Sequence, residues 1–177
     1  MNTYIALIRS INVSGTNIIK MAELRPFWEQ MGFTNVRTYI QSGNVIFESN
    51  TKPDTALIEA QIEKEFGTKN AAVILLTPKE LTAIINENPF SKQTDFDKKK
   101  MYVCYLQTTP TQDQIAAFDT LNLGEDKAHF GNNVLYVYYG VSAGKSKLTN
   151  KVIEKHLNAY ATARNWNTTN KLLELAK

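Results

Sequence analysis

Gly144-Lys145-Ser146 lies between an aromatic-rich run, NVLYVYY, and an amphipathic stretch, NKVIEKHLNAY. Strand, glycine-bearing loop with Gly-Lys-Ser, then helix is the layout in which backbone N–H groups and a lysine cradle phosphates. That loop needs four residues between its glycines, so that consecutive N–H groups curl around the anion. Gly140 and Gly144 are separated by only three. There is also no apolar strand ending in an aspartate that could hold magnesium, since AAVILL runs into Thr77-Pro78. Both defects argue against a nucleoside triphosphatase. A weaker chemistry remains: Lys145, Ser146, Lys147 and Thr149 are expected at a helix N-terminus, which attracts anions.

Two further stretches are dense in polar groups. In TARNWNTTNK, Arg164 can fork onto a phosphate or carboxylate, Trp166 can stack on a ring, and Asn165 and Asn167 can hydrogen-bond. The structural alternative makes Trp166 core, Asn167 or Thr168 a helix cap, and Arg164 the holder of a surface carboxylate. In SINVSGTN and QSGN, the residues Arg9, Asn12, Lys20, Gln41, Ser42 and Asn44 can line one polar concavity. Gly15 and Gly43 would let the backbone approach a ligand there. Asn, Ser and Gly are equally what tight turns require. Catalytic constellations are thin. His129 and His156 stand alone, and His156 falls on the apolar side of its helix. Two His and one Cys without ligand spacing make no zinc site, no hydrolase-elbow serine is present, and no cofactor is implied.

These residues depend on a framework that the periodicity outlines. TYIALIR reads as a strand, MAELRPFWEQM as a helix with Met21, Leu24, Trp28 and Met31 on one face. Pro26 is expected to kink that helix or mark a weak first turn, and Gly32 to stop it. VRTYI and NVIFES form a hairpin around QSG. A second helix, PDTALIEAQIEKEF, stops at Gly67, and AAVILLT is a fourth strand. Strand-helix-strand-strand-helix-strand is a ferredoxin-like order. It brings SINVSGTN and QSGN to the same sheet end. Both faces of its central strands are apolar, so both should be covered. That disfavours an RNA-binding sheet built on Tyr4 and Phe47.

Thr77-Pro78-Lys79-Glu80 opens a further helix with a capping box. ENPFSKQTDFDKKK breaks the periodicity and reads as a linker. Beyond it the plan repeats as a variant. MYVCYLQ is a strand, TPTQDQIAAFDTL a helix capped by Thr109, and KAHFG and NVLYVYY a hairpin turning near Gly131-Asn132. KLTNKVIEKHLNAYA is a helix with Val152, Ile153, His156 and Tyr160 along one side, TARNW a short closing strand, and TTNKLLELAK a last helix. The fold class is therefore α+β: a ferredoxin-like subdomain over 1–90, a linker over 91–100, and a second α+β subdomain over 101–177.

Composition fits a folded chain. Of 177 residues, 43% are apolar and 21% charged, enough for a core and not a disordered composition. No apolar run reaches the length of a membrane span, and MNTYIALIRSIN lacks the basic lead and cleavage site of a signal peptide. The lone Cys104, in a strand-like run, reads as a buried small hydrophobe and permits no disulfide framework. Together these lead us to expect a cytoplasmic protein. The net charge of +3 is uneven: Gly144 to Lys177 holds seven Lys/Arg against Glu154 and Glu174, while the remainder holds thirteen against fifteen acidic residues. Such asymmetry points to an anionic partner or to a solvated helix surface.

TYIALIRSINVSGTNIIKMAELR, GFTNVRTYIQSGNVIFES, NPF, SKLTN and ATARNWNTTNKLLEL resemble the bacterial domain-of-unknown-function family 1697, nearly end to end. The resemblance implies a soluble bacterial protein of two α+β subdomains with ferredoxin-like character, and no established activity, cofactor or catalytic residue. The family's Arg-Gly-Ile-Asn-Val-Gly-Gly pattern lands on Arg9 to Gly15, with Ser10 and Ser14 in place of glycine, which stiffens the loop. Its Ser-Lys-Leu-Thr piece lands on Ser146 to Thr149, and Gly144-Lys145 is not part of it.

Three readings of function follow. The first is a binding module for a phosphate-bearing ligand, nucleic acid or nucleotide, through Arg9, Asn12, Lys20, Gln41, Ser42, Asn44, Lys145, Ser146, Lys147, Arg164 and Asn165. The second is a metal-free enzyme with its site at the QSGN hairpin. The third is a protein-interaction or homo-oligomeric scaffold, with Trp28, Tyr102 or Tyr136 partly exposed at an interface. No membrane partner is expected, and oligomeric state is left open.

Overall fold

A computed structural model of the chain describes residues 1–13 and 15–177. The loop-stiffening role expected of Ser14 falls outside the described residues. The chain divides into two units, Met1–Leu81 with Leu172–Lys177, and Thr82–Lys171.

The first unit begins with strand β1 (Asn2–Ile8), helix α1 (Met21–Gln30), strands β2 (Thr34–Tyr39) and β3 (Asn44–Ser49), helix α2 (Thr55–Phe66) and strand β4 (Val73–Leu76). The strands form an antiparallel sheet in the order β2-β3-β1-β4. Leu24, Phe27 and Trp28 are the buried face of α1, and Pro26 lies on its exposed side, where the carbonyl it leaves unpaired can meet water. Asp54 caps α2 by accepting from the N–H groups of Ala56 and Leu57, and Gly67 closes it in the left-handed region. The Trp28 ring lies tilted against Phe47 and Phe33, with centroids 4.7 Å and 5.4 Å away, in a core that includes Tyr4, Val45, Ile58 and Ile62. Ile5, Leu7 and Ile46, which point to the opposite sheet face, are buried as well. Both faces of the central strands are thus covered, and Tyr4 and Phe47 stack on each other rather than being offered to RNA.

Helix α3 (Pro78–Asn86) opens with the expected reciprocal cap: the Thr77 N–H and hydroxyl both donate to Glu80, and the Glu80 N–H donates back to the Thr77 hydroxyl. Turns follow through the polar stretch that precedes strand β5 (Met101–Leu106).

The second unit continues with helix α4 (Gln112–Asp119), strands β6 (Lys127–Phe130) and β7 (Val134–Tyr138), helix α5 (Asn150–Leu157) and strand β8 (Ala161–Asn165), and helix α6 (Trp166–Leu175) follows, its residues from Leu172 on belonging to the first unit. Its antiparallel sheet has the order β6-β7-β5-β8, the same pattern as the first.

Several local expectations are corrected. Thr111, not Thr109, caps α4, because Gln114 stands three residues on and completes a capping box with it. Helix α5 ends at Leu157, with Asn158 left-handed at its C-terminus, so Tyr160 lies beyond the helix and is exposed. Helix α6 starts earlier than read: Asn165 accepts the Thr168 N–H and caps it. Among the described residues, no helix is long and apolar enough to cross a membrane.

Candidate functional site

In the first unit the β1–α1 loop and the β2–β3 turn meet at one sheet end. The Ile8 N–H donates to the Gly43 carbonyl at 2.8 Å. Asn12 binds the two loops together: its amide donates to the carbonyls of Ile19 (3.0 Å) and Gln41 (2.9 Å), and its side-chain oxygen accepts the Ile19 N–H (2.8 Å). Asn44, 0% exposed, donates to the Tyr39 carbonyl (3.0 Å) and to Ser42 Oγ (2.9 Å). Arg9 reaches the Asn70 carbonyl, and Lys20 lies 3.7 Å from Glu23. Gly43 has φ +72, and a Cβ there would sit 2.9 Å from the Ile8 carbonyl oxygen and from Ile11. The structure therefore brings Asn12, Gln41, Ser42 and Asn44 together, through bonds to local backbone and from Asn44 to Ser42. Beside them Val13, Ile18 and Ile40 are 55%, 70% and 49% exposed. Ile40 has φ +49, an uncommon conformation for a β-branched residue.

The second unit carries a cavity of about 500 Å³. One wall is the loop from Leu121 to Asp126, between α4 and β6. The other is formed by Val141, Ser142 and residues 145–148, with Val152 of α5. Lys145, Ser146 and Lys147 thus line one cavity. The loop is not a phosphate loop. Ala143–Lys145 forms a single 3-10 turn, Ser146 is extended, and the helix begins only at Asn150 with Thr149 as its cap. The Lys145 N–H is turned back to the Ser142 carbonyl.

Asp126 holds this loop in place. One carboxylate oxygen accepts the Gly140 N–H at 2.9 Å, and the other accepts the Ser146 hydroxyl. The Ser146 oxygen in turn accepts the Leu148 N–H at 2.8 Å. Lys100 Nζ donates to the Gly140 carbonyl at 2.6 Å. Gly140 packs so closely on the opposite loop that a Cβ there would clash with the Glu125 Cβ. A mouth tied from both sides is largely pre-formed, and its volume falls in the usual range for small-molecule sites. The lysine side chains are exposed, whereas Leu148 packs into the unit's core.

Arg164 and Asn165 are placed elsewhere in this unit. Arg164 is 6% exposed on β8, and its guanidinium donates to Thr162 Oγ1 (2.7 Å) and to the Ala163 carbonyl (2.9 Å). Burial pushes its pKa down to about 10. The Asn165 side-chain oxygen is taken up in capping α6. Trp166 is buried edge-on to Phe96. Burial likewise pushes the Cys104 thiol up to about 12 and the Tyr139 hydroxyl upward. Two of the three aromatic residues expected to be partly exposed are corrected: Trp28 is 0% and Tyr136 1% exposed, and the Tyr136 hydroxyl donates to the Ile84 carbonyl at 2.7 Å. Tyr102 is half-buried against Tyr139.

Sequence reasoning found the lysines of the cavity but missed Asp126, Leu121, Leu123, Val141 and Val152 as its other parts. Asp126 lies 20 residues from Ser146, and no local pattern announces that pairing. The leucines do carry a signal, an apolar pair in the polar stretch between α4 and β6.

Comparison with known proteins adds the following. Residues 1–136 match the family model described as "Protein of unknown function (DUF1697)". The SKLTN and TARNWNT pieces lie beyond that match. No curated protein matches the chain. Among solved structures, the conserved bacterial protein SP0830 from Streptococcus pneumoniae is similar over 99% of each chain, with 26% identity and a TM-score of 0.74.

Proposed function

The chain belongs to the DUF1697 family, a family of unknown function, and on that premise we propose that it is a binding module for a phosphate-bearing ligand. The observation that carries this reading is the cavity of about 500 Å³ whose lining includes both Lys145 and Lys147. Two lysines two positions apart on a held loop suit a phosphate, which offers several strong acceptor oxygens. The basic excess of the last 34 residues raises the local concentration of anions around it.

The test is chemical-shift mapping on isotope-labelled protein at low salt, with inorganic phosphate, a nucleotide pool and a short single-stranded oligonucleotide as probes. Shifts gathered on Lys145 to Leu148 and Leu121 to Asp126, weakened by added salt and by K145A/K147A, support the reading. An unchanged spectrum with every probe refutes it.

A second reading, contact with another protein, is favoured by Val13, Ile18 and Ile40, three exposed aliphatic side chains on the two adjoining loops of the first unit. It predicts that Ile18→Asp disrupts an association seen by light scattering. A protein that scatters as a monomer at all concentrations removes the self-association form of this reading.

A further inference from the structure

Resting on the reading of the second-unit cavity as the ligand site, we infer that its ligand is an aliphatic phosphate monoester: a compact alkyl body on a single dianionic head. Three observations carry this. The first is the wall chemistry. Leu121, Leu123, Val141, Leu148 and Val152 supply aliphatic surface, and none of the lining residues is aromatic. A nucleobase is normally held by stacking on an aromatic ring, and this cavity offers no such platform. An alkyl body needs only apolar wall.

The second is that part of this wall is left open to water. Val141 is 58% exposed and Leu121, Leu123 and Val152 are only half-buried. An alkyl group seated among them would cover apolar surface that the protein alone leaves wet, a gain of about fourfold in affinity for each methylene buried.

The third is the charge balance. Lys145 and Lys147 face a lining that also contains Glu125 and Asp126, so the wall is formally neutral. A polyanion gains little from a neutral wall. A single head group that meets the two lysines gains from both. Asp126 is held on the loop rather than on the lysines, with its two oxygens accepting the Gly140 N–H and the Ser146 hydroxyl. Glu125 repels any second anionic group on the same ligand, which sets against nucleoside di- and triphosphates.

The experiment is a titration of the intact chain with ethyl, butyl and hexyl phosphate, adenosine monophosphate and inorganic phosphate, followed by the methyl resonances of Val141 and Val152 and the amides of Lys145 to Leu148. The inference expects affinity to rise about fourfold per methylene along the alkyl series, with methyls and amides moving together. Val141→Ser, at an exposed position that leaves the core intact, should flatten that rise. Affinity that is flat along the series, with adenosine monophosphate binding at the same amides, overturns the inference and leaves the broader reading standing. An absence of shifts at Lys145 to Leu148 with every probe overturns both.

Discussion

Gly43→Ala is the substitution whose cost can be worked most directly from the structure. Gly43 has φ +72, in the left-handed region, where a Cβ costs about 1 to 2 kcal/mol against the following carbonyl. The added methyl would also lie 2.9 Å from the Ile8 carbonyl oxygen, which is held by its place at the end of β1, and 2.9 Å from two Ile11 atoms in the core. Crowding of that kind adds about 1 to 3 kcal/mol. The expected loss is thus about 2 to 5 kcal/mol. Two other glycines separate the terms. Gly32 has φ +88 with nothing within 4 Å, so Gly32→Ala should lose only the conformational part, about 1 to 2 kcal/mol. Gly144 has an ordinary φ and open space, so Gly144→Ala should be neutral or raise stability by a few tenths of a kcal/mol. Urea denaturation of the three variants, followed by circular dichroism, reads the order directly. Equal losses for Gly43→Ala and Gly32→Ala would refute the packing argument. A large loss for Gly144→Ala would refute the placement of the 141–149 loop.

Three more outcomes are expected. Thr111→Ala should cost about 1 kcal/mol in urea, because it removes one half of a reciprocal cap, while Thr109→Ala should cost less. Asp126→Ala should lower stability by about 1 to 3 kcal/mol, since the Gly140 N–H and the Ser146 hydroxyl lose their acceptor, and should broaden the Lys145 to Leu148 amides in NMR spectra. For pH, burial raises the Cys104 thiol from 9.0 to about 12 in the fold, so between those values the native state keeps a proton that the unfolded chain releases. The stability contributed by the protonated thiol is complete below pH 9 and falls as pH rises, with a slope of up to about 1.4 kcal/mol per unit. Buried Tyr105, Tyr136 and Tyr139 add to that fall in the same direction at higher pH. A urea midpoint independent of pH between 9 and 11, or rapid labelling of the native thiol by a disulfide reagent at pH 8, would contradict this.

The elements that local patterning specifies were legible. Thr77 and Glu80 stand three apart ahead of an apolar-periodic run, and they form the cap that such spacing allows. Thr111 and Gln114 carry the same signal, yet Thr109 lies beside Pro110 and competes for the role on sequence alone. The end of α5 hinged on whether Asn158 would turn left-handed, which side-chain periodicity does not report. For the candidate site, charge and loop composition pointed to Lys145, Ser146 and Lys147. The apolar half of the cavity and the Asp126 tie are made by chain segments distant in sequence, so only the folded chain shows them. Asn12 and Asn44 mark the opposite limit. Their residue types suit a ligand or a turn equally, and the distances to Ile19, Gln41 and Tyr39 carbonyls show what the amides bind in the fold.

The division of the chain has a consequence for biosynthesis. The second unit, Thr82–Lys171, is one uninterrupted stretch, whereas the first needs Leu172–Lys177 from the far end. Leu172 is 0% and Ala176 4% exposed. On a ribosome adding about 5 to 20 residues each second, the first unit waits roughly 5 to 20 s for those residues after Leu81 has been made. The earlier-made unit is therefore completed only by a segment made after the whole of the other, and a ribosome stalled before Leu172 would leave it without that segment.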